Sequence, residues 1–125
     1  MALTSDTLVA VYGTLKRGCS NHHLLRKAHW LGRDRLAALA LYDLGPYPAV
    51  APAASRKFTP GVQVEIYRVT PGQLLQLDIL EDHREHNPAA GLYQRQLRPS
   101  RFGPAWVYLY NGALKGQRVV PSGSW

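Results

Sequence analysis

Gly61–Val69, GVQVEIYRV, followed directly by Thr70-Pro71-Gly72-Gln73, is the stretch that decides the fold. Val62, Val64, Ile66 and the tip of Arg68 point one way, and Gln63, Glu65, Tyr67 and Val69 the other. A period of two is that of a β-strand. Both faces carry apolar weight, as a strand covered on two sides requires. The pattern then changes: Thr70 is an N-cap residue, Pro71 suits the first helical position, and Gln73 completes a capping box. Leu74, Leu75, Leu77 and Leu80 supply the apolar stripe of a helix running to about Asp82. A two-sided strand feeding a capped helix predicts a mixed α/β (α+β) fold.

Working outward, Thr7–Tyr12 (TLVAVY) is a β-branched apolar run that stops at Gly13, which predicts a buried strand and a turn. Thr14–Ser20 reads as a polar loop, after which Asn21 caps a short helix to about Lys27 with Leu24, Leu25 and Ala28 on its apolar side. Leu31–Asp43 is ambiguous, suiting a helix by propensity while Gly32 and the Gly45-Pro46-Tyr47-Pro48 punctuation bound it like a strand; the family resemblance given below is what favours strand. The proline-rich stretch is an extended loop that continues through Pro52–Pro60. His83–Gly91 is polar and punctuated, hence loop. Leu92–Arg98 and Ala105–Tyr110 form a hairpin, and Val119–Trp125 adds a last short strand. No repeat or linker interrupts the chain, so one domain over residues 1–125 is expected.

Composition narrows the function classes. With 125 residues, 46% of them apolar and 18% charged, the chain is of a globular type. Cys19 is the single cysteine, which excludes an internal disulfide and a four-cysteine zinc site. The start, MALTSDTLVAVYG, lacks the basic region of a secretory signal and an apolar run of membrane-spanning length. A soluble cytoplasmic protein without a membrane partner is the expectation. The formal charge of +7 is spread in pairs such as Lys16/Arg17 and Arg33/Arg35 rather than in a polybasic run. Such a charge attracts anionic metabolites and nucleic acid alike and decides nothing alone. Most of these side chains read as a solvated surface, and a nucleic-acid-binding domain using the charge with Trp30 and Phe102 is a distant third reading. No GxxxxGK[ST] or GxGxxG stretch is present, so nothing points to a nucleotide cofactor. The sequence sets no oligomeric state.

Two places carry candidate chemistry. The loop Tyr12-Gly13-Thr14-Leu15 leaves a strand at a glycine, where a ligand can approach the backbone and successive N–H groups can face one carboxylate or oxyanion. The alternative is a plain turn. Glu81 sits at the end of the predicted helix between Asp78 and Asp82, where the helix C-terminus and like charges push a carboxyl pKa upward. A carboxyl tuned toward neutrality suits general acid–base work, and the alternative is an exposed helix-end glutamate. His83 and His86 have a spacing compatible with metal binding but lie in predicted loop, so solvated histidines are the reading and no metal site is assigned. Cys19 reads as a bystander thiol.

Taken together, VYGTLKRG, YPAV, VEIYRV, a helix with LDILE, then LYQR and a closing VYLY strand resemble the gamma-glutamylcyclotransferase-like family. The similarity is to its small branch, with gamma-glutamylamine cyclotransferase and short bacterial relatives, and runs from about Leu8 to Trp125. The resemblance implies a small, partly closed β-barrel of about five to six strands with two or three short helices. It also implies that Tyr12, Gly13, Thr14 and Leu15 hold the substrate, that Glu81 is the catalytic acid–base, and that Tyr47, Tyr93 and Tyr108 line the cavity. The implied reaction needs no metal or cofactor. It is cyclisation of a γ-glutamyl amine or γ-glutamyl amino acid to 5-oxoproline with release of the amine. A module that binds such ligands without turnover is the alternative. Two departures matter. Asp82–Leu92 is longer than in the resembling enzymes, which places a charged loop over the pocket mouth and makes Glu85 a second candidate. Val64 stands where the family pattern has glycine, which implies a narrower adjoining cavity.

Overall fold

The structure, a computed structural model, describes residues 5–13, 15–16, 18–19, 22–53, 61–114 and 116–125. Its centre is the alternating strand β5 (Val62–Val69), which is paired on each side and packs apolar side chains on both faces. On one side lies β2 (His29–Leu36); on the other lies β1 (Thr7–Val11), antiparallel to β5 with Val9 opposite Tyr67. β1 then runs parallel to β7 (Ala105–Tyr110), and β7 forms the expected antiparallel hairpin with β6 (Tyr93–Arg98). The resulting five-stranded sheet has the order β2-β5-β1-β7-β6. β3 (Leu39–Asp43), β4 (Pro48–Pro52) and β8 (Arg118–Val119) make a second sheet in the order β4-β3-β8. The fold is therefore mixed α+β, but the barrel of five to six strands is replaced among the described residues by eight strands in two sheets.

Side-chain alternation places one core on each face of the larger sheet. Ala10, Val62, Val64, Ile66, Val107 and Leu109 face the smaller sheet, where Leu39, Leu41 and Val50 complete the packing. Val9, Val11, Tyr67, Val69 and Tyr108 face the other way, against Leu74 and Leu77 of the helix α1 (Pro71–Leu80). α1 starts as its sequence dictates: the Thr70 hydroxyl accepts from Gln73 N–H at 3.1 Å, and the Gln73 side chain accepts from Thr70 N–H at 2.7 Å. Two short 3-10 turns, His22–Leu25 and Pro88–Ala90, accompany it. The first falls within the helix expected from Asn21, although Asn21 itself lies outside the described residues.

Three element expectations change. Leu31–Asp43 is two strands, β2 and β3, because the chain reverses at Ala37-Ala38, where Ala38 takes a left-handed φ of 61°. The reversal carries Leu36 and Leu39 from one sheet to the other, and both are buried there. Pro48–Pro52 is a strand, not loop. Its prolines sit at the two ends of an edge strand, where a missing N–H costs little. Of the expected loop Pro52–Pro60, residues 54–60 lie outside those described. The final strand is confined to Arg118–Val119, paired with β3, and does not reach Trp125.

Candidate active site

β1 delivers Tyr12 and the glycine turn to the C-terminal edge of the larger sheet. Tyr12 and Leu15 are buried, and the Gly13 carbonyl accepts from Lys16 N–H at 3.0 Å, which closes the turn. Thr14 lies outside the described residues. A Cβ on Gly13 would stand 2.9 Å from Pro48 Cγ. The glycine is thus required by the close approach of β4, whereas the sequence suggested the approach of a ligand. Pro48 in turn holds the opposite wall, since its carbonyl accepts from Tyr93 Oη at 2.9 Å.

α1 stops at Leu80, two residues earlier than its sequence suggests, and the stop positions Glu81. Asp82 adopts a left-handed φ of 54°, His83 N–H donates to Asp78 O at 2.8 Å, and Asp82 N–H donates to Ile79 O at 3.2 Å. These are the two bonds of a Schellman cap, with aspartate in the place usually taken by glycine. The inward stripe of the last turns is Leu74, Leu77 and Asp78, all buried, continued by the half-buried Glu81, at positions i, i+3, i+4 and i+7. Leu75 and Leu80, expected in that stripe, are 61% and 39% exposed.

The turn, the cap and the two tyrosine strands enclose a pocket of about 300 Å³. Tyr12, Gly13 and Leu15 form one wall, and Pro46, Tyr47 and Pro48 another. Leu80 and Glu81 enter from the helix end, Leu92 and Tyr93 from the start of β6, and Tyr108 from β7. The structure therefore gathers Tyr12, Gly13, Leu15, Tyr47, Glu81, Tyr93 and Tyr108 around one cavity. Glu85 is exposed and is not among the lining residues. Val64 is fully buried in the core facing the smaller sheet and does not line this pocket, so it does not narrow it.

Burial lifts the Glu81 carboxyl to about 7. The expected causes were the helix end and the charges of Asp78 and Asp82, but removal from water is what raises it. Tyr12 and Tyr93 are held above their usual range by burial first and by the Glu81 charge second, which places both phenols within the field of that carboxyl. Asp78 has another role. Its Oδ1 accepts from Arg95 Nε at 2.9 Å and from Tyr108 Oη at 2.6 Å, and the pair is nearly excluded from solvent. Arg95 also lies over the Trp106 ring at 4.4 Å. This buried network ties α1 to β6 and β7. Sequence reading missed its function, although its signal lay in the paired motifs LDILE and YQR, which contain Asp78 and Arg95.

The loop after Glu81 is pinned at its base, and its last residue, Leu92, lines the pocket. Asp82 Oδ2 accepts from Leu92 N–H at 3.0 Å, and Glu81 O accepts from Tyr93 N–H at 3.2 Å. A Cβ on Gly91 would lie 2.0 Å from Asp82 O, so this crossing admits only glycine. His83 Nδ1 accepts from Arg95 N–H at 3.2 Å, and burial lowers its pKa, which suits an accepting neutral ring. His86 is exposed, and Cys19 is a free thiol outside the pocket lining. No described helix is long and apolar enough to cross a membrane.

Comparison with known proteins bears on this geometry. Residues 9–125 match the family model described as gamma-glutamyl cyclotransferase, AIG2-like. A Vibrio cholerae protein bearing the gamma-glutamylcyclotransferase name is 38% identical over 119 residues, covering 94% of each chain. The Escherichia coli K12 gamma-glutamylcyclotransferase family protein YtfP is 32% identical over 117 residues, again covering 94% of each. The crystal structure of a Mus musculus AIG2-like protein shares the fold with a TM-score of 0.77 at 24% identity, covering 97% of this chain and 88% of that one. The chain belongs to the gamma-glutamyl cyclotransferase, AIG2-like family of gamma-glutamylcyclotransferase-like enzymes.

Proposed function

We propose that the chain converts a γ-glutamyl amide to 5-oxoproline and a free amine, with Glu81 as the acid–base. The observation that supports this most is a carboxyl near pKa 7 lining a pocket whose opposite wall is a glycine turn. The substrate supplies its own nucleophile. Its α-amino nitrogen attacks the γ-carbonyl carbon, a five-membered ring closes, and the bond from that carbon to the amide nitrogen breaks. Holding the substrate folded is worth several kcal/mol in effective concentration.

Protons balance through Glu81. The ionised carboxyl takes one proton from the α-ammonium before attack and gives it to the departing nitrogen. It then takes the second from the ring nitrogen and passes it to the released amine, ending as it began. A pKa near the working pH serves both directions. Backbone N–H groups of the turn that begins at Gly13 meet the α-carboxylate or the oxyanion. Tyr12, Leu15, Tyr47, Tyr93 and Tyr108 shape the cavity, and Thr14 is included on the resemblance alone. As a reaction class this is an acyl transfer within one molecule, lyase-like in releasing an amine, and the single thiol Cys19 suits a cytoplasmic setting.

Incubation with a panel of γ-glutamyl amides and dipeptides tests the proposal by 5-oxoproline release. At least one compound turns over, with kcat/KM rising through an apparent pKa near 7. Thermal stabilisation by these compounds with no 5-oxoproline assigns the pocket to binding alone.

A further inference from the structure

We propose that a second cavity, at the end of the larger sheet remote from Glu81, binds a small phosphorylated metabolite between Arg98 and Arg101. β2 and β6 are the outer strands of that sheet, and the turn from β6 to β7 brings their ends together. Asp34 Oδ2 accepts from Arg101 N–H at 2.9 Å, and a Cβ on Gly32 would stand 2.8 Å from Phe102 Cζ. The crossing leaves a cavity of about 490 Å³ between this turn and the Ala37-Ala38 reversal. β6 begins at Tyr93 in the candidate active site and ends at Arg98 in the second cavity. Those two residues are about 17 Å apart along the strand, so the cavities are separate.

The lining holds three arginines and one carboxylate. Asp34 is occupied by main chain, since Oδ1 accepts from Arg35 N–H at 2.7 Å and Oδ2 from Arg101. Arg35 is engaged as well, donating from Nη1 to Ser122 O at 3.0 Å and from Nη2 to Gln63 Oε1 at 3.3 Å. It contributes charge rather than a contact. Arg98 donates from Nη2 to Gln96 Oε1 at 3.2 Å, but its Nε is buried with no hydrogen-bond partner among the described residues. A buried charged donor left unpaired loses water and gains nothing, and an anion seated against Arg98 supplies the acceptor. Arg101 rests over the Phe102 ring at 5.3 Å, and its side chain makes no hydrogen bond or ion pair among the described residues. Stacking holds one face of the guanidinium and leaves its N–H edge for a ligand. Two such edges match a phosphate group, which concentrates more charge and more acceptor oxygens on one centre than a carboxylate does. Ala37 and Ala38 leave room for the rest of the molecule. No aromatic ring lines the cavity among the described residues, so nothing there stacks a base, which favours a small molecule over single-stranded nucleic acid.

Isothermal titration calorimetry on the intact protein, in a phosphate-free buffer of low ionic strength, compares inorganic phosphate, ribose 5-phosphate and succinate. Both phosphates are expected to bind, and succinate at least tenfold more weakly. Arg98→Gln and Arg101→Gln should each raise Kd at least tenfold. Arg118→Gln, which removes the same charge from the exposed β8, should leave it within twofold. Arg101 is exposed, so its variant carries the test if Arg98→Gln does not fold. Equal weakening by all three variants, or no saturable binding at millimolar phosphate, overturns the proposal. Succinate binding as tightly as phosphate overturns phosphate as the recognised group. Exclusion of ribose 5-phosphate while phosphate binds leaves an inorganic-ion site and overturns the metabolite. Tighter binding of a single-stranded oligonucleotide, with a steep salt dependence, overturns it too. The readout is binding alone, so the result does not depend on whether a γ-glutamyl amide turns over.

Discussion

Glu81 occupies its pocket at the expense of stability. Its ordinary pKa of 4.5 is raised to about 7 by burial, so between these values the folded chain keeps a proton that the unfolded chain has released. Its contribution is therefore complete below about pH 4.5, falls as pH rises, and is lost above about 7. The difference amounts to on the order of 3 kcal/mol. Glu81→Gln has no charge to bury. The variant is expected to match the wild type in urea unfolding at pH 4 and to exceed its stability at pH 8. Parallel pH dependence in the two proteins would show that Glu81 is solvated. Gly13 makes a second prediction at this scale. Gly13→Ala pushes Pro48 away and with it the acceptor of the Tyr93 hydroxyl, so KM for a turned-over γ-glutamyl amide should rise several-fold.

At the scale of elements, α1 is held at both ends and across its buried face. Removing the N-terminal cap by Thr70→Ala should cost about 1 kcal/mol in urea unfolding and leave kcat unchanged, because Thr70 is at the end remote from Glu81. Asp78→Ala strips the partner from both Arg95 and Tyr108, and leaving a buried guanidinium unpaired should cost about 3–5 kcal/mol by the same measurement. The start of α1 was fully legible, since Thr70, Pro71 and Gln73 carry local chemistry that needs no tertiary context. Its buried face was not. Two acids, Asp78 and Glu81, occupy the inward stripe while Leu75 and Ile79 face solvent, so counting apolar residues misplaces the face by part of a turn. The acids turn inward because Arg95 and the pocket receive them, and neither is adjacent in sequence.

For the whole molecule, the pocket exists only where the two sheets meet the end of α1. Tyr12 and Tyr108 come from the larger sheet, Tyr47 and Pro48 from the hairpin of the smaller one, and Glu81 from the helix cap. A ligand that bridges them should stabilise the fold as a unit: 5-oxoproline at 100 times its Kd should add about 2.7 kcal/mol to unfolding. Periodicity showed β1, β5 and the β6–β7 hairpin of the larger sheet, because they alternate or end at glycine, whereas β2 reads equally well as helix and is assigned as strand only through the resemblance. The second sheet was hidden, since the Ala37-Ala38 reversal carries no turn residue and the prolines of β4 mimic a loop. That Tyr12 and Glu81 share a cavity came from the order of motifs rather than from either residue. The most direct measurement compares 5-oxoproline release by wild type and Glu81→Gln from one γ-glutamyl amide, with binding checked by thermal shift. The account predicts that the variant binds the amide and forms 5-oxoproline at least a hundredfold more slowly. Undiminished release by Glu81→Gln would contradict it.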